Sequence, residues 1–399
     1  MATRSLIKIV LLLAVSLVTA CSNPTSKALL SSVETYNSPA LMRPALISDD
    51  SKQLLTTTRY RELVSYDMET GEIIKSTPQL ETITKSADKK MIIRQSTDGS
   101  VILTYNSHDG TVSVRDGNTL ETNKEFVLLD ENEKTFSDLV LSPNGRYLVA
   151  PSSDSPKAQV WDVETGKLYR ELISKKQSGF PPAVEVKFHA SSKYVYVQHN
   201  ISEANIWDID TGDIILGPAV FWVFHADDRI IRYLDIKDGF VKNLEISTRK
   251  VTSLYDANYN KNDHIVTYPW LSSDGNHLLV VNGIDTDAPS ANWEYYTLNL
   301  WDLKAQKIIQ SFGKSAPADA GEASNIITFR PRQISLSSDG LYAKVNFGGG
   351  RISIWDTRTG KKVFEDTETA WTAQFSPDGK RLVIEGRDIY KVYDLGLLR

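Results

Sequence analysis

Apolar and polar residues alternate in short runs along most of the chain, as in Arg351-Ile-Ser-Ile-Trp355-Asp356. A period of two puts alternate side chains on opposite faces of an extended strand, so these runs predict strands. They are grouped in a repeating unit. An apolar strand ends in a turn that is usually Ser-x-Asp-Gly, and a second strand follows. A third strand ends in an aromatic or apolar residue plus an acid, and a Thr-Gly-type turn leads into the fourth.

The first turns read Ser48-Asp49-Asp50-Ser51, Ser96-Thr97-Asp98-Gly99, Ser142-Pro143-Asn144-Gly145 and His189-Ala190-Ser191-Ser192. After them come His225-Ala226-Asp227-Asp228, Ser272-Ser273-Asp274-Gly275, Ser337-Ser338-Asp339-Gly340 and Ser376-Pro377-Asp378-Gly379. The matching third-strand ends are Tyr66-Asp67, Arg115-Asp116, Trp161-Asp162, Trp207-Asp208, Leu244-Glu245, Trp301-Asp302, Trp355-Asp356 and Tyr393-Asp394. Both series count eight. Their chemistry is that of a scaffold. Asp-Gly and Asn-Gly supply the positive φ of tight hairpins, and an acid after the third strand can accept turn N–H groups. Asp67, Asp116, Asp162, Asp208, Asp302, Asp356 and Asp394 are therefore read as structural repeat positions. They are not read as catalytic carboxylates.

Val160-Trp161-Asp162-Val163-Glu164-Thr165-Gly166-Lys167 and Arg351–Val363 carry a resemblance to the WD-repeat β-propellers, which extends over roughly residues 41–399. The spacing of the units agrees with the roughly 40–45 residues of such a repeat. The Gly-His pair that precedes the first strand in that family is missing throughout. The resemblance implies an all-β fold, a single propeller of four-stranded antiparallel blades. Eight blades are expected, with seven as the alternative if one weak unit, most of all the fifth, is not a blade. Only five residues follow Asp394, too few for a last fourth strand. An open ring would expose unpaired strand edges. The apolar patch from Ala28 to Tyr36 is the candidate to complete the last blade.

The N-terminus adds an address. Arg4 and Lys8 precede the apolar run Ile9–Ala20, which is shorter than the roughly 20 residues of a relaxed bilayer crossing. A basic start, a short apolar run and a small-residue exit match a secretory signal. Leu17-Val18-Thr19-Ala20-Cys21 resembles the lipobox of bacterial lipoproteins, which implies cleavage before Cys21 and acylation of it. Residues 1–20 then read as a signal peptide and 21–40 as a lipidated tether with the closing strand. The propeller occupies 41–399. Ser22 after the cysteine implies the outer membrane, facing the periplasm.

Composition narrows the partners. The formal charge is −5, or −7 once Arg4 and Lys8 are removed, and no basic stripe is present, which argues against nucleic acid. Cys21 is the only cysteine, so no intrachain disulfide is possible. The six histidines, His108, His189, His199, His225, His264 and His277, show no ligand pairing; His189 and His225 are read as turn residues equivalent to Ser142. No nucleophile elbow and no phosphate-cradling loop appear. Asp285 and Asp287 alternate as in a calcium loop, but the other ligands are out of register. No metal, cofactor or catalytic residue is assigned, and the reading leans away from an enzyme.

Function is expected where loops depart from the repeat. Unit six carries a long loop between its second and third strands, Gly283 to Tyr296, and the connection Gly313–Ser324 into unit seven is also long. The resemblance places both on one face. Trp293, Tyr295, Tyr296, Phe180 and Tyr259 are the candidate interaction residues, because aromatics dominate binding hot spots. Trp222, Trp270 and Trp371 lie at first strands and are read as core. The expectation is a monomeric, non-catalytic scaffold, held to a membrane by lipid on Cys21 and binding an unidentified envelope protein. The alternative is a periplasmic enzyme or small-ligand binder that uses the central channel.

Overall fold

A computed structural model describes residues 28–34, 45–57, 62–77, 91–129, 136, 138–152, 157–173, 185–200, 203–219, 221–226, 229–235, 238, 240–256, 270–272, 275–282, 296–314, 331–347, 350–366, 372–386 and 389–398. The chain is an eight-bladed β-propeller, each blade a four-stranded antiparallel sheet. Seven blades are contiguous in sequence, with their strands paired in chain order: 46–76, 91–127, 140–173, 185–219, 221–256, 270–314 and 331–366. Unit five, the weakest repeat in sequence, is a complete blade.

The eighth blade is built from both ends of the chain. Thr372–Phe375, Arg381–Glu385 and Ile389–Asp394 form its first three strands, and Leu29–Glu34 pairs antiparallel with Ile389–Asp394 as the fourth. The register runs from Leu29 opposite Tyr393 to Glu34 opposite Ile389, with an irregularity between Leu29 and Ser31. The buried Ser31 hydroxyl donates to the Met68 carbonyl of blade 1 at 2.7 Å.

The core is not central but distributed between blades. Eight apolar clusters occupy the eight interfaces, one at each. The period of two explains this, since the two faces of every blade must both be covered. Ala343 and Val345 face blade 6, while Tyr342 and Ile354 face blade 8. Closure uses the same device: Val383, Tyr390 and Val392 of blade 8 pack on Ala45, Leu54, Val64 and Tyr66 of blade 1. Polar bonds reinforce that seam. Gln374 Nε2 donates to the Ala45 carbonyl at 2.9 Å, and the Asp378 amide donates to Ser51 Oγ at 3.0 Å.

Glycine matters most at the turn after each third strand, where φ is +75° at Gly71, +69° at Gly166, +77° at Gly212 and +67° at Gly360. Leu120, Arg249 and Gln306 adopt the same left-handed region at +64°, +60° and +56° in blades that lack the glycine. The repeat geometry therefore overrides residue preference.

Two expectations need correction or completion. His189 does occupy the turn position of Ser142, its amide donating to the Tyr194 carbonyl at 2.9 Å. His225 does not. It lies within the strand Phe221–Ala226, opposite Arg232, because blade 5 extends its first strand two residues further than the repeat suggests. Trp270 packs on the cluster between blades 6 and 7. Trp222 lies in a first strand, and Trp371 falls outside the described residues.

Closure by Leu29–Glu34 has a measurable consequence. Deleting residues 24–38 removes the six-residue strand, with its five paired residues, and exposes the edge of Ile389–Asp394. Thermal unfolding should show Tm lowered by about 10 °C or more, since about 1 kcal/mol is worth several degrees in a domain. A deletion variant melting with the full chain would refute closure.

Candidate interaction surface

The propeller has two chemically different faces. One carries the turns between first and second strands and those between third and fourth strands; it is called here the turn face. The other carries the loops between second and third strands and the connections between blades, and is called the loop face.

On the turn face, the recurrent acids are held by backbone donors. Asp67 Oδ1 accepts the amides of Glu69 and Thr70, both at 2.8 Å, and Asp116 Oδ1 those of Asn118 and Thr119, also at 2.8 Å. Asp162 accepts from Thr165, Asp208 from Asp210 and Thr211, and Asp394 from Gly396. Asp302 accepts from Lys304 and Ala305, and Asp356 from Arg358 and Thr359. The Thr70 and Ala305 amides hold the carboxyls of Asp67 and Asp302 below their ordinary range, as the Thr119 amide does for Asp116. For Asp356 the leading cause is the Arg358 guanidinium, 2.6 Å from Oδ2. In the first-turn series, Ser96 Oγ donates to Asp98 and Ser337 Oγ to Asp339 at 2.6 Å. These bonds give each acid a structural role in its own turn.

The third-strand tryptophans vary in how their indole N–H is met. Trp161 Nε1 reaches Gln159 Oε1 at 3.3 Å, whereas Trp207 and Trp355 place theirs in apolar surroundings with no hydrogen-bond partner. The missing Gly-His pair is consistent with this.

The loop face is where the repeat breaks. Asn282, Tyr296 and Lys314 end three neighbouring strands of blade 6, with Thr297 opposite Asn282 and Tyr296 opposite Lys314. Residues 283–295 and 315–330, between and beyond these ends, lie outside the described residues. The two long segments therefore leave the blade from the same end. Of the candidate interaction residues, Tyr296 opens the strand Tyr296–Asp302, and Trp293, Tyr295, Phe180 and Tyr259 lie outside the described residues, as does Cys21.

Three features were not legible in the sequence. A cleft of about 350 Å³ on blade 5 is lined by Arg229, Ile230, Asn243, Glu245, Lys250 and Thr252. Asn243 stands where blade 7 has the buried Ile354, and its Oδ1 accepts from Arg232 Nε at 3.0 Å. Glu385, at the loop-face end of blade 8, is pushed up to about 7 by burial, which the Tyr390 hydroxyl at 3.4 Å partly offsets. Tyr390 also bonds Thr56 of blade 1 at 3.2 Å. Lys344, buried between blades 7 and 8, donates to the Ala373 carbonyl and is brought down to about 8 by desolvation. Lys242 is engaged by Asp235 and Asp238. Among the described residues no group of three His, Cys, Asp or Glu side chains is placed to hold a metal ion. Glu385 and Lys344 thus lie apart, one on the side of blade 8 that meets blade 1 and the other between blades 7 and 8.

No family model matches the chain. It is 26% identical over 167 residues to the periodic tryptophan protein 2 homolog of Dictyostelium discoideum, a match covering 36% of this chain and 17% of that protein. The matched part thus spans about a sixth of that relative. Among solved structures, the computationally designed Ika8 protein superposes with a TM-score of 0.58 at 15% identity, over 92% of this chain and 100% of that one. That likeness bears on the fold alone. With the strand topology, these similarities make the fold a WD-repeat-like β-propeller.

Glu385 and Lys344 give stability two separable pH signatures. A folded-state pKa raised from 4.5 to about 7 means that the stabilisation by protonated Glu385 is full below 4.5 and lost as pH rises through 7. Glu385→Gln should therefore match wild type at pH 4.5 and exceed it at pH 8. For Lys344, lowered from 10.5 to about 8, the unfolded chain binds the extra proton between those values, so stability rises with pH there. Lys344→Met should be the more stable at pH 7, with the gap closing towards pH 10. Urea unfolding across this range tests both; pH-independent differences would count against both assignments.

Proposed function

We propose that this protein is a non-catalytic scaffold of the cell envelope, anchored to a membrane through lipid on Cys21 and binding a protein partner on its loop face. The observation that carries the reading is the contrast between the faces. The titratable side chains that recur in every blade are bonded within their own turns, as at Asp67, Asp116 and Asp356. Both long departures from the repeat leave from one end of blade 6, at Asn282, Tyr296 and Lys314. A rigid ring presenting irregular segments on one side suits recognition of a macromolecule. In this reading Trp293, Tyr295 and Tyr296 anchor the partner, and Phe180 and Tyr259 extend the surface.

Two experiments address the two halves of this reading. Crosslinking and pull-down from envelopes should recover a partner with the full chain and lose it when residues 284–296 are deleted. Identical partner sets would remove the role of that segment. Metabolic labelling with a palmitate analogue should mark the wild type and not Cys21→Ser; equal labelling would end the lipoprotein reading.

A further inference from the structure

The closing strand fixes where the N-terminal tether joins the propeller. Leu29 pairs with Tyr393, one position before the turn-face acid Asp394, and Glu34 pairs with Ile389 at the other end. The chain preceding Leu29 therefore meets blade 8 at the turn face. Ala28 is fully buried there, in one cluster with Leu395 and Leu398. Those two belong to the 3-10 turn Leu395–Leu398 that follows Asp394, and the Leu395 amide donates to the Lys380 carbonyl at 2.9 Å. The first strand residue and the last turn of the chain thus share one corner of the molecule.

That corner keeps apolar surface in water. Leu397 is 51% exposed and Leu29 38%, although Leu395 and Leu398 beside Leu397 are buried. On the neighbouring blade 1, Ile73 is 61% exposed; it pairs with Tyr66, whose ring faces blade 8. Lys380 is exposed on the adjoining turn of blade 8. An exposed apolar corner with a cation beside it is a composition that an anionic lipid interface takes up.

Chain length decides which occupant can cover this corner. Cys21 lies seven positions before Ala28. Even fully extended those seven steps reach only about 25 Å, at roughly 3.3–3.6 Å per residue. If Cys21 carries lipid, the bilayer lies within that distance of Leu29 and Leu397. We infer that the turn-face corner of blade 8, through Leu29 and Leu397 with Lys380 beside them, rests on the lipid surface. The inference builds on the anchoring reading above and adds an orientation to it. The blade 6 strand ends Asn282, Tyr296 and Lys314 belong to the opposite face, away from the bilayer. A soluble partner then reaches them without competing with lipid.

The test uses the full-length protein purified from membranes and reconstituted in phosphatidylethanolamine–phosphatidylglycerol vesicles. When Cys21 is acylated, an introduced cysteine is the only free thiol. Leu397→Cys on the turn-face corner and His108→Cys on the loop face of blade 2 are each labelled with a nitroxide. Accessibility to oxygen and to a water-soluble nickel chelate is then compared. The expected result is an oxygen-to-nickel ratio several-fold higher at 397 than at 108, with the difference lost in detergent. Equal ratios in protein whose mass shows the acyl chains would overturn the orientation and leave the anchor standing. A mass without acyl chains, with two nitroxides per molecule, would remove the anchor and the orientation together.

Discussion

The whole structure depends on one strand pairing, that of Leu29–Glu34 with Ile389–Asp394. In a solenoid the terminal units can be capped separately, but in a ring every blade has two neighbours. Each of the eight apolar clusters is shared between adjacent blades, so an opened seam leaves both Val392 and Leu54 without cover. The apolar area at a seam is worth far more than a surface contact, since each buried aliphatic side chain contributes about 1.5–3 kcal/mol. Joining the two ends of the chain in one sheet makes that contribution conditional on a long-range contact. The ring is therefore cooperative by construction.

The same closure makes the turn face regular. Turns of neighbouring blades touch one another: the Thr97 amide donates to Pro143, the Asn144 amide to Ser192 and the Asp378 amide to Ser51. A turn that must bond both itself and its neighbour cannot vary freely in length. This explains why Ser51 and Ser192, at φ +58° and +61°, accept a left-handed backbone that glycine adopts at little cost. On the loop face, bonds such as Tyr390 to Thr56 are made by strand side chains rather than by the turns themselves, and it is there that the long segments depart.

These constraints also decide what could be read from sequence. Blade number, strand order and the closing strand were legible because Asp-Gly turns and third-strand acids are local signals, repeated at a fixed period. The turn role of His225 was misjudged because blade 5 shifts its register, and register depends on pairing with Arg232 rather than on local composition. Glu385 and Lys344 look like ordinary surface charges in an alternating strand. Their burial comes from blades 1 and 8 respectively, which sequence proximity does not reveal. The blade 5 cleft has the same origin, since Asn243 is unusual only when set against Ile354 and its counterparts.

The interface between blades 5 and 6 shows how a ring tolerates irregularity. Among the described residues, blade 5 offers the buried Val241 to that cluster, with Leu254 partly buried beside it. Arg232 crosses the seam as well, its guanidinium donating to the Gly275 carbonyl. That polar bond adds to the apolar cluster of the seam, which cannot open independently, because its two blades are also held from their far sides. Blade 6, on one side of this seam, carries both long segments. The ring can carry those segments because blade 6, like every blade, is held through apolar clusters on both of its sides.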